Sequence, residues 1–121
     1  MAKLNDEVKE VFQDQLVFIA TADKQGNPNV GPKGSMHVFD DETLVYAEGT
    51  AKKTLQNLQE NSRVALVAVD RERHLGFQIK GTAELLFSGD FFELIAKRQE
   101  ERSRPRPKAV VRIKVEEIYS L

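Results

Sequence analysis

The spacing of the β-rich runs constrains this chain most. Leu16 to Ala22, Leu44 to Ala47, Arg63 to Asp70, Gly76 to Phe87 and Ala109 to Val115 are rich in β-branched and aromatic residues. The turns between them are mostly short. A parallel neighbour needs a crossover of about a dozen residues or more, so turns this short dictate antiparallel pairing. Asn29 to Phe39 is also extended, but Gly31, Pro32 and Gly34 interrupt it. Pro32 cannot donate to a ladder, which places this segment at a sheet edge or on a bulge. About six strands with helices at three points predict a mainly β (α+β) domain, a small antiparallel barrel with peripheral helices.

Periodicity fills in the elements. Residues 4–13 put Leu4, Val8, Val11 and Phe12 on one stripe, with acids near the start, as an amphipathic helix requires. Gly26, in Asp23-Lys24-Gln25-Gly26-Asn27-Pro28, can take the positive φ that a hairpin demands. The near-continuous apolar run Val64 to Val69 predicts a strand buried on both faces. Gly81 marks a bend in the long run Gly76 to Phe87. Ser88-Gly89-Asp90 opens a helix reaching about Ser103. The last strand alternates apolar and charged residues from Val111 to Val115, so one side is buried and one is wet.

Composition excludes several function classes. The 121 residues fit one domain, 1–121. A formal net charge of −1 gives no general attraction to nucleic acid or an anionic membrane. The absence of cysteine rules out disulfides, thiolate metal sites and cysteine nucleophiles. No stretch approaches membrane-spanning length and the N-terminus has no apolar leader, so the expected location is the cytoplasm.

Four stretches could carry chemistry. Gly26 to Lys33 has glycines and a lysine, but Gly31 precedes Pro32, so the Gly-Lys-Ser/Thr of a nucleotide loop is missing. His37 and His74 have no ligand-spaced partners, and no metal site is expected. Lys97 to Lys108 sets six cations against two acids, without the aromatic platforms of a nucleic-acid groove. That stretch suits a solvated helix end whose cations complement the C-terminal dipole.

The fourth is Gly49 to Leu58. Thr50 is expected to cap a short helix whose Ala51, Leu55 and Leu58 face the core. Lys52, Lys53 and Thr54 then lie beside unpaired first-turn amides. Lysines at a helix start are electrostatically unfavourable unless an anion joins them, which makes this stretch a phosphate cradle. A solvated helix start with incidental lysines is the bland alternative. Lys33, Gly34 and Ser35 supply further polar groups, and a glycine beside Lys33 lets a ligand approach the backbone.

In order and spacing the chain resembles the pyridoxamine 5'-phosphate oxidase-like FMN-binding split barrels, particularly their small FMN-binding proteins. The resemblance rests on Val17 to Thr21 with Gly26-Asn27-Pro28, Lys53-Thr54 with Leu58, Arg63 to Leu66, and Gly76 to Ala83. It implies a six-stranded antiparallel split β-barrel that forms a homodimer with FMN at the interface. By the same resemblance Lys53 and Thr54, assisted by Lys52, hold the flavin phosphate. Lys33, Gly34 and Ser35 meet the ribityl chain and ring, Ala47 offers backbone to the ring, and Gln78 approaches flavin across the interface. Lys33 would stabilise the reduced flavin. Larger members carry arginines on the second strand where Gly31 and Pro32 stand here. The implied role is flavin-dependent electron or hydride transfer with a redox partner that the sequence does not name. A non-catalytic flavin or haem carrier, with His37 or His74 as an axial ligand, is the alternative.

Overall fold

The computed structural model describes residues 2–50 and 52–121. Three helices and seven strands follow one another as α1 (Asp6–Asp14), β1 (Val17–Ala22), β2 (Pro28–Lys33), β3 (His37–Asp40), β4 (Thr43–Glu48), α2 (Lys53–Glu60), β5 (Arg63–Asp70), β6 (Leu75–Leu86), α3 (Asp90–Glu101) and β7 (Ala109–Ser120). All seven strands join one sheet in the order β2-β1-β5-β6-β7-β4-β3. Every pairing is antiparallel. This is the mainly β, antiparallel architecture that the short turns dictated, and it is consistent with the split barrel that the resemblance implies.

The strand count is seven rather than six because the interrupted segment Asn29 to Phe39 is two strands. A turn, closed by the Met36 amide on the Lys33 carbonyl at 3.1 Å, separates β2 from β3. Those two strands form opposite edges of the sheet, which is where the barrel is split. Pro32 accordingly sits on an edge strand. Gly26 has φ 89° in the β1–β2 turn, as the hairpin requires.

The core lies inside the curled sheet. Ile19, Leu44, Tyr46, Leu66, Ile79 and Ile113 point into it, joined by Leu4, Val8, Val11 and Phe12 from the α1 region. Asn5 caps α1 by accepting the Val8 amide at 2.9 Å. A second, smaller cluster lies outside the barrel wall, where Phe92, Ile95 and Ala96 of α3 cover Val45 and Val110.

Two strand expectations need correction. β5 is not buried on both faces: Val64, Leu66 and Ala68 are buried, whereas Ala65 and Val67 are half-buried and Val69 is exposed. Double burial falls instead on β4 and the start of β7, because α3 packs over those strands. β7 also runs on to Ser120, beyond Val115. Its polar continuation remains paired because β6 is long enough to accompany it. The bend at Gly81 is a register shift between Lys80 and Gly81 against β7. A Cβ added there would lie 2.2 Å from the Lys114 carbonyl oxygen, so only glycine fits.

Candidate functional site

The predicted helix start is present, but it is built differently. α2 begins at Lys53 with Lys52 in the cap position, and no side chain caps it. Thr50 is therefore not the N-cap. Its amide and hydroxyl turn back instead onto Glu48 Oε2, at 3.4 and 3.3 Å. Ala51 lies outside the described residues, while Leu55 and Leu58 face the core as expected. The first turn carries no acid. Lys52 and Lys53 are exposed, and amides without a side-chain cap beside two ammonium-bearing side chains leave a positive concentration at this helix end.

Thr54 is buried on the inner side of α2, where its hydroxyl accepts from Asn29 Nδ2 at 3.3 Å. One turn on, Asn57 is fully buried and donates to Thr21 Oγ1 at 3.1 Å, while its own Oδ1 has no partner among the described residues. These bonds fasten α2 to β1 and β2.

The barrel split supplies the other wall. Ser35, in the corner between β2 and β3, donates to the Ala47 carbonyl at 3.2 Å and accepts the Ala47 amide at 3.0 Å. Lys33 Nζ meets both carboxylate oxygens of Glu48 at 3.0 and 3.2 Å. The Lys33 ammonium also lies 5.4 Å from the centroid of the Tyr46 ring. Glu48 is only 1% exposed. Removing one partner from a buried pair of this kind costs about 3–5 kcal/mol, because the other charge is left uncompensated. Burial, and next the Glu48 charge, push the Tyr46 phenol well above its ordinary pKa of 10.0.

Lys33 and Ser35, at and just past the end of β2, are thus hydrogen-bonded to Glu48 and Ala47 at the end of β4, whereas Thr54 is bonded to Asn29 near the start of β2, with Lys52 and Lys53 adjoining it in sequence. Gly34 is exposed and a Cβ there would meet nothing within 4 Å, which leaves its backbone open to approach. Gln78 stands apart. It is half-buried on β6, in a lateral row with Pro32, Phe18, Val67 and Tyr119.

Sequence reasoning missed Asn29 and Glu48. Glu48 had a readable signal: it shares strand parity with the core residues Leu44 and Tyr46, so it had to point inward. Asn29 had none, because its partner Thr54 is 25 positions away.

The other polar stretches have local partners. Arg106 makes a two-pronged pair with Glu93 at 3.1 and 2.7 Å, and Arg98 stacks over Phe39. His37 Nδ1 lies 2.9 Å from the Ser35 carbonyl, which places its proton there in the neutral ring. Burial holds the His37 imidazole below its ordinary 6.5; Arg98 and Arg102 act in the same direction, against the Ser35 bond. No described helix is long and apolar enough to cross a membrane.

The sequence matches the pyridoxamine 5'-phosphate oxidase family over residues 4–121. The chain belongs to that family. Among solved structures, this family member is similar to a single-residue variant of HupZ from Group A Streptococcus: 41% identity, TM-score 0.93, with 98% of this chain and 99% of that one covered. It is 37% identical to MJ0282 of Methanocaldococcus jannaschii, over 100% of this chain and 83% of that protein. Two more distant structures share the fold. One is an FMN-binding protein from Syntrophomonas wolfei (20% identity, TM-score 0.77, 95% of this chain and 86% of that one). The other is HutZ, the heme storage protein of Vibrio cholerae (19%, 0.75, 97% and 94%).

Proposed function

We propose that this split-barrel protein binds FMN as a homodimer and serves flavin-dependent electron or hydride transfer. The observation that carries the reading is the start of α2, where two exposed lysines and uncapped amides gather with no acid in the turn. A phosphate satisfies that end of the helix. Lys53, Lys52 and the first-turn amides would hold it, with Thr54 seated by Asn29. Ala47 and Ser35, already tied together, would offer backbone to the ring, as would the exposed Gly34. The flavin supplies the redox chemistry when bound, and the chain supplies position and electrostatics.

A second copy has a surface to cover. Phe18, Val30 and Val69 are 39%, 66% and 47% exposed on the outer side of β1, β2 and β5, beside the half-buried Val67. Apolar side chains gathered on one face in this way mark an interaction surface. Gln78 lies in the same row as Phe18 and Val67, which suits a residue reaching flavin from the partner.

Purified protein tests the cofactor. A yellow solution absorbing near ~450 nm, with FMN identified by mass spectrometry, is expected. A Soret band would establish the haem alternative instead, and a colourless protein that does not take up FMN would sink the flavin reading. Lys53→Ala combined with Thr54→Ala is expected to weaken FMN binding at least about tenfold, or ~1.4 kcal/mol. Unchanged affinity would return the helix start to its bland role.

A further inference from the structure

Among the described residues Glu48 is the only buried carboxylate, and it stands beside a helix start that should attract anions. A carboxylate this near a phosphate site repels the phosphate unless something neutralises it. Lys33 does so, with its ammonium within 3.2 Å of both oxygens. The neutralised carboxylate still accepts the Thr50 amide and hydroxyl, two positions before Lys52. From the other side, the Glu48 carbonyl accepts the Lys108 amide at 2.8 Å, so the end of β4 is itself pinned.

We propose that Glu48 is a positioning residue for the phosphate cradle. With its charge balanced by Lys33, it acts as a fixed hydrogen-bond acceptor that holds Thr50 and so sets how the chain enters α2. The Lys33 charge is then committed to Glu48 rather than to the flavin. This inference rests on the FMN reading above. It reverses the simple electrostatic expectation: a bare negative charge near the cradle should be deleted with a gain in FMN affinity, whereas a positioning acceptor should be deleted with a loss.

Two variants without a buried unpaired charge separate these cases. Lys33→Met with Glu48→Gln keeps an acceptor for Thr50, and Lys33→Met with Glu48→Ala removes it. The readout is the ratio of riboflavin to FMN dissociation constants, which isolates the phosphate and is insensitive to general damage at the ring. The Gln variant is expected to keep the wild-type ratio within about threefold, while the Ala variant loses about tenfold or more. Equal ratios in the two variants, or tighter FMN binding in the Ala variant, would overturn the proposal. Thermal unfolding checks that each variant folds. If the Ala variant does not, Thr50→Val at an exposed position replaces it: a several-fold loss in the ratio is expected, and an unchanged ratio overturns the proposal. Failure of the wild-type protein to bind FMN would instead remove the flavin reading and this inference with it.

Discussion

At the scale of single residues, polar groups are placed by partners distant in sequence. Lys33 and Glu48 close the barrel split, Asn29 seats Thr54, and Asn57 reaches Thr21. His37 shows how such placement becomes pH dependence. Its pKa is lowered in the fold, chiefly by burial and then by Arg98 and Arg102, so the unfolded chain binds the proton more readily. Stability therefore holds at neutral pH and declines as pH falls through about 6.5 toward the lower folded value. Denaturant unfolding between pH 7.5 and 5.5 is expected to show this decline, and His37→Gln should flatten it. A slope identical in the variant would place its origin elsewhere.

At the scale of elements, two helix starts preceded by a residue able to cap them behave differently. Asn5 caps α1 through the Val8 amide, whereas Thr50 turns away from α2 toward Glu48. Asn5→Ala should therefore cost about 1 kcal/mol in urea unfolding, and Thr50→Ala distinctly less, because no helix cap is lost with it. Equal costs would contradict that assignment. The β6–β7 ladder makes a second demand. Gly81 lies against the Lys114 carbonyl, so Gly81→Ala must push the strands apart and should lower stability by about 1–3 kcal/mol, or more. A neutral result would show that the register shift there relaxes freely. Strand existence, the hairpin turn and the Gly81 bend were all legible beforehand, because each depends on local propensity. Which strands are buried on both faces was not. The apolar run of β5 looked like a doubly buried strand, yet α3 covers β4 and β7.

At the scale of the whole molecule, the chain curls one antiparallel sheet around its core and leaves an apolar outer face on β1, β2 and β5. If a second copy covers that face, Phe18→Glu buries a charge at the junction and should convert the dimer to monomer in sedimentation experiments, with weaker FMN retention. A monomeric wild-type protein would remove the face from the flavin site. The sequence by itself determined the antiparallel β class, the interrupted edge at Pro32 and the lysine-bearing helix start, since short turns, ring geometry and charge placement act within a few residues. The tertiary structure decided that the interrupted segment makes the two edges of one sheet, and that Lys33 meets Glu48 across the split. It also turned the Thr50 hydroxyl away from its helix. Those outcomes depend on how the sheet closes, and closure brings together groups that no local pattern relates.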